Sequence, residues 1–99
     1  MALTITSTIT TKDGIELTGT YGRVGVADNY TGDRLEQVVE LFSSEAAFNA
    51  GAFPIRPNFS VHVSSAYDRA TDGTDVLDLA HDNLIAHLAD QGISAEKSL

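Results

Sequence analysis

Between residues 3 and 10 apolar and polar positions alternate, with Leu3, Ile5, Ser7 and Ile9 on one side and Thr4, Thr6, Thr8 and Thr10 on the other. That two-residue period predicts a half-buried strand. Lys12, Asp13 and Gly14 follow as a hairpin turn, with the glycine free to take a positive φ. The return strand places Ile15, Leu17 and Tyr21 on one face and Glu16, Thr18 and Thr20 on the other. Around Gly22 the apolar parity moves to Val24 and Val26, and a glycine at such a shift predicts a β-bulge. Residues 27–34 read as a polar loop.

Two periods compete in the next stretch. Leu35, Val38, Val39 and Phe42 fit a helical stripe, and Asp33 with Glu36 fits a capping box. Val38, Val39, Leu41 and Phe42 equally suit a strand buried on both faces, and the β-branched pair tips the choice to strand for residues 35–43. Ser43 or Ser44 then caps a short helix near 44–50, closed by Gly51. Pro54 and Pro57 impose an extended connection. Phe59, Val61 and Val63, alternating with Ser60, His62 and Ser64, predict another strand, and residues 65–74 a polar loop. Leu77, Ala80, Leu84, Ile85 and Leu88 form the stripe of a C-terminal amphipathic helix, with Asp75 as its cap and Asp78, Asp82 and Asn83 largely off the stripe. Gly92 followed by Ile93 matches a glycine C-cap.

These elements assemble as an α+β fold: a small antiparallel sheet of about four strands, the C-terminal helix packed on one face and the short helix beside it. The other face is expected to carry threonine, serine and His62. Residues 1–94 make one domain and 95–99 a flexible C-terminal tail. A small open sheet also leaves two edges on which a partner can add a strand.

Composition narrows the function. Six basic against 14 acidic residues give a net charge of −8, the wrong sign for neutralising phosphates, so neither nucleic acid nor an anionic membrane is expected as a partner. The chain has no cysteine, which removes disulfides, thiolate nucleophiles and Cys-ligated metals. No stretch reads as a leader or a membrane span, so a protein made and kept soluble in a cytoplasm is expected.

No constellation of catalytic residues stands out, and an enzyme is not expected. His81 and His87 are six apart and cannot chelate together on a helix. His81 beside Asp78 and Asp82 fits a solvated helix margin better than a His–carboxylate pair, and His62 has no visible nucleophile or base partner. The loop from Asp68 to Asp75 has the acidic look of a calcium loop, but Ala70 and Leu79 stand where ligands belong. Tyr21-Gly22-Arg23-Val24-Gly25 lacks the spacing of a phosphate loop, and Arg23 is an isolated strand cation that Glu16 or a partner's acid can pair. No cofactor, metal or small-molecule substrate is expected.

The run from Val39 to Gly51, Val-Glu-Leu-Phe-Ser-Ser-Glu-Ala-Ala-Phe-Asn-Ala-Gly, resembles small virion proteins of tailed bacteriophages. So does the order of elements: a leading hairpin with a Tyr-Gly-Arg-Val strand, a strand running into an alanine-rich turn of helix, a further strand and a closing amphipathic helix. About thirteen residues carry the motif. The resemblance implies an oligomeric structural component of the tail, baseplate or head–tail region, located in the virion, with other virion proteins and copies of itself as partners. It carries over no catalytic residue. Ser44, Glu45, Phe48, Phe53, Arg56 and Arg23 are the candidate interaction residues. The competing expectation is a soluble acidic adaptor or inhibitor of a single host protein, and a third, weaker one is a small hydrolase or metal enzyme using His62 or His81.

Overall fold

A computed structural model describes residues 2–28, 33–66 and 76–98, with the backbone alone for Asp28 and Ser98. The strands are β1 (Ala2–Ile5), β2 (Ile9–Thr10), β3 (Glu16–Leu17), β4 (Thr20–Asp28), β5 (Arg34–Phe42), β6 (His62–Ala66) and β7 (Ala95–Ser98). The helices are α1 (Glu45–Asn49) and α2 (Val76–Asp90). The α+β class holds, with five antiparallel strands in the main sheet, in the order β6-β5-β4-β1-β7, and β2 and β3 as a separate pair.

The fifth strand comes from the segment expected to be a flexible tail. Ala95–Ser98 pairs antiparallel with β1 in the register Ala2↔Ser98 to Ile5↔Ala95. Its approach is set at the end of α2, where Gly92 (φ 80°) lets the chain reverse. Ile93 N–H donates to the Leu88 carbonyl and Gly92 N–H to that of Ala89, both at 2.9 Å, the paired bonds of a Schellman cap. Lys97 projects to the helix side and bonds Asp78 at 2.6 Å and Asp82 at 2.8 Å. Those hydrogen bonds, with Asp78 the stronger influence, hold the Lys97 amine well above the usual lysine range.

The leading strand is also divided. Residues 6–8 leave the main sheet, tied down where Thr6 N–H donates to the Ser94 carbonyl at 2.9 Å and Ser94 N–H to Ser7 Oγ at 2.7 Å. Ile9 then pairs with Leu17 in the small hairpin and turns its side chain into the main core. On the return, Gly19 (φ 72°) makes the second break, so β4 starts afresh at Thr20.

The bulge expected at Gly22 is absent. Registers run unbroken from Tyr21↔Phe42 through Gly22↔Leu41 to Asp28↔Leu35. The apparent parity shift arises because both faces of this sheet are apolar at that end. Gly22 sits on the α2 face, where a Cβ would lie 2.7 Å from Val39 Cγ2 and 3.3 Å from Leu41 Cδ2. Tyr21 points to the opposite face and joins Ala2, Phe42 and Phe48 in a second small cluster. The second face is therefore not purely hydroxyl-bearing as expected.

The strand expected over residues 35–43 runs Arg34–Phe42, but it is not buried on both faces: β5 alternates buried and exposed along Arg34–Leu41 and leaves Val38 exposed. The main core unites Leu3, Ile5, Ile9, Val39, Leu41, Leu84 and Leu88. Gln37 lies fully buried within it, donating to the carbonyls of Leu35 (2.7 Å) and Val63 (3.1 Å) and accepting from Asn83 Nδ2 at 2.7 Å. That polar link fixes α2 against β5 and β6. No described helix is long and apolar enough to cross a membrane.

Candidate functional site

The six candidate interaction residues fall into three places. Ser44 is the N-cap of α1, its Oγ accepting from Ala47 N–H at 3.0 Å, and Glu45 is exposed in the first turn, where the helix dipole favours an anion. Phe48, on the inner side of α1, packs edge-on to Phe42 with ring centroids 4.9 Å apart and tilted to Tyr21 at 5.5 Å. Arg23 crosses from β4 to lay its guanidinium over the Phe48 ring, 5.1 Å from the centroid, and donates to Tyr21 Oη at 3.2 Å. A cation over an aromatic face is attracted by the ring quadrupole, so Arg23 pairs with an aromatic rather than with Glu16. Ser44, Phe48 and Arg23 thus hold α1 on the sheet's second face.

Phe53 stands apart, 93% exposed on the connection after α1. Arg56 lies on the other side of that connection, where its carbonyl accepts from Lys12 N–H at 2.9 Å. Its side chain lines an open depression of about 390 Å³ together with Thr11, Asp13, Ile15 and Pro54. One carboxylate and one guanidinium at a wide mouth are not a convergent polar set of the kind that orients a small ligand.

The histidines occupy positions that spacing did not foretell. His81 is buried at 1% exposure, not placed on a solvated margin. Its Nδ1 lies 2.6 Å from the Leu77 carbonyl, which makes Nδ1 the protonated nitrogen, and its Nε2 has no partner among the described residues. Asp78 and Asp82, the carboxylates beside it in sequence, turn to Lys97 instead. On the second face, Glu36 accepts from Ser64 Oγ at 2.8 Å and contacts His62 Nε2 at 2.9 Å, while Arg34 donates to Ser64 Oγ at 2.8 Å. His62 therefore has a carboxylate partner. The serine is bonded to the carboxylate and not to the imidazole, so this exposed chain does not form a nucleophile–base relay.

Sequence reasoning missed one serine–histidine contact. His87 Nε2 meets Ser60 Oγ at 3.0 Å, and Gln91 clasps the same residue, accepting from Ser60 N–H and donating to its carbonyl, each at 2.9 Å. His87 and Gln91 share one helix face at i, i+4, but nothing in the sequence says that residue 60 lies beneath them. No third group orients the imidazole and no pair of N–H donors converges on Ser60 among the described residues. The contacts fasten the end of α2 to the segment just before β6.

No cluster of three or more His, Asp or Glu side chains suited to a metal occurs among the described residues. The loop from Asp68 to Asp75, including the expected cap Asp75, lies outside them. Comparisons of the chain with protein-family models, with curated proteins and with solved structures returned no match.

Proposed function

We propose that the chain is a non-enzymatic assembly protein, a structural subunit of the kind found in tailed-phage virions, in the tail, baseplate or head–tail region. It acts by protein–protein contact with other virion proteins and with copies of itself. One observation carries the reading: the main sheet is open at both sides, and neither β6 nor β7 has a further strand partner among the described residues. Unpaired backbone at an edge is a ready template for another chain. The histidine and serine contacts that resemble catalytic pairs each have a structural role in joining elements. The test is mass spectrometry of purified particles together with light scattering of the isolated chain. Absence from particles would sink the virion reading. The net charge of −8 favours the second reading, an adaptor or inhibitor docking on one basic host protein, which predicts a salt-sensitive complex and no place in a particle.

A further inference from the structure

The two open edges are not alike. On β7 the middle positions are Glu96 and Lys97, and charged side chains are a common guard against edge pairing. A two-fold antiparallel pairing through the middle of β7 would set Glu96 against its copy or Lys97 against its copy, and like charges directly opposite destabilise a ladder. On β6 the residues are His62, Val63, Ser64, Ser65 and Ala66, with no Lys, Arg, Asp, Glu or Pro among them.

The direction of the β6 backbone groups follows from one bond. Val39 N–H donates to the Val61 carbonyl at 3.0 Å, and β6 runs against β5 in the register Gln37↔Val63 and Leu35↔Ser65. Hydrogen-bonded and non-bonded pairs alternate along an antiparallel ladder. The N–H and C=O groups of residues 61, 63 and 65 therefore face β5, and those of 60, 62, 64 and 66 face outward. The outward groups at the start are already occupied. Gln91 takes both those of Ser60, and Ser60 Oγ donates to the His62 carbonyl at a long 3.3 Å. Ser64 and Ala66 carry no such cover among the described residues.

We propose that β6 is a homotypic docking edge, on which a second copy of this chain adds its own β6 antiparallel about a two-fold axis at Ser64. This rests on, and deepens, the reading of the chain as an assembly subunit by naming the edge and the partner. In this register the outward groups meet in phase, with Ser64 opposite Ser64 of the second copy and His62 opposite its Ala66. Val63 lies opposite Ser65 of the second copy on the helix side. No like charges face each other across the new ladder. A centre at residue 63 or 65 brings together groups already bonded to β5, and a centre at 62 collides with the Gln91 clasp. The two five-stranded sheets become one of ten strands. Strand addition over so few residues is weak by itself, which suits a subunit that neighbours hold in place.

The test is sedimentation of the full chain over a concentration series up to about 1 mM, the weak end of measurable association. The mass should rise from 10.5 kDa to twice that value. Ser64→Ala leaves the backbone intact and should dimerise like the parent. Ser64→Pro removes an outward N–H and should stay monomeric, with the parent's circular dichroism spectrum. A parent that remains monomeric throughout, or a dimer that survives Ser64→Pro, overturns the proposal. Should the proline variant not fold, oxidative cross-linking decides. Opposed hydrogen-bonded residues have Cα atoms about 5.5 Å apart, within disulfide reach, and the chain has no cysteine of its own. Ser64→Cys should give a covalent dimer and Glu96→Cys should not; equal yields from the two overturn the proposal. These outcomes are independent of particle mass spectrometry, so the edge and the virion reading fail separately.

Discussion

Adding one methyl group at Gly22 tests how closely β4 is packed under the main core. The residue lies on the α2 face, opposite Leu3 on one side and Leu41 on the other, and its φ is not in the left-handed region. An alanine Cβ there would lie 2.7 Å from Val39 Cγ2. Val39 is buried at 1% exposure and β-branched, so it has little room or rotamer freedom with which to yield. Overpacking of this kind costs about 1–3 kcal/mol. The stiffer unfolded chain of an alanine variant offsets about 0.4–1 kcal/mol of it. Gly22→Ala should therefore lose about 1–2 kcal/mol, lowering Tm by roughly 5–15 °C in a domain of this size. Urea denaturation should show a lower midpoint with an unchanged m value. Val39→Ala by itself should cost about 2–3 kcal/mol in lost burial and cavity. In the double variant the clash is gone, and the loss should fall short of the sum by about 1–2 kcal/mol. Gly25→Ala is the internal control: same strand, other face, nearest neighbour Val38 Cγ1 at 3.6 Å, and so a neutral or slightly stabilising change. A Gly22→Ala protein as stable as its parent, or one additive with Val39→Ala, would refute the close approach.

Other elements yield to simpler tests. Ser44→Ala should remove about 1 kcal/mol of support from α1, and Phe48→Ala should release the helix altogether, seen as faster amide exchange confined to α1 and the Tyr21–Phe42 end of the sheet. Lys97→Met should accelerate exchange of the β7 amides and leave β5 protected. Because the Lys97 amine is raised by its aspartate partners, its contribution is complete below the ordinary lysine pKa of about 10.4 and is lost as pH rises through the raised value. Protection of β7 should thus be flat across neutral pH and fall only in strong alkali. His81→Leu removes a buried nitrogen that has no partner among the described residues at the expense of one hydrogen bond, and should be neutral or stabilising by up to about 2 kcal/mol in thermal melts. A clear loss of stability in the His81→Leu variant would refute this.

Where one face of an element is apolar and the other wet, the pattern of residues was enough. That held for both glycine-closed helix ends and for the overall class, but β5, expected to be buried on both faces, alternates instead, and the strand expected from Phe59 to Ser64 lies at His62–Ala66, taking in two residues expected as loop. It failed at β7 because the inward position holds a lysine. Ile93, Ala95 and Lys97 do alternate with Ser94, Glu96 and Ser98, but Lys97 is held on the helix side by two carboxylates of α2. Only the tertiary fold brings those groups together. Failure at Gly22 has a different origin. Hydrophobic periodicity is blind to a glycine, and it read Tyr21 as the core residue when the core face takes its neighbour. A sheet with a second small cluster on its far face breaks the assumption of one apolar side on which the parity argument depends.

The site was legible only in part, for related reasons. A serine cap is a local matter of four residues, so sequence narrowed it to Ser43 or Ser44, and the structure assigns Ser44. The partnership of Arg23 with Phe48 needs β4 and α1 to meet on one face, and charge alone offered only acids, Glu16 or one on a partner. The buried face of α2 is Ala80, His81, Leu84 and Leu88, and Leu77, which the expected stripe included, is 48% exposed; a stripe through His81, Leu84 and Leu88 is as helical as one through Leu77 and Leu84. Residue type, not spacing, placed it at the margin, because a histidine is seldom fully buried. Burial of one nitrogen without a partner is a cost that packing elsewhere must offset. The same dependence on tertiary structure bears on the edges: neither the charges of Glu96 and Lys97 nor the absence of charge on β6 has a meaning for strand pairing until β7 and β6 are known to be the outermost strands.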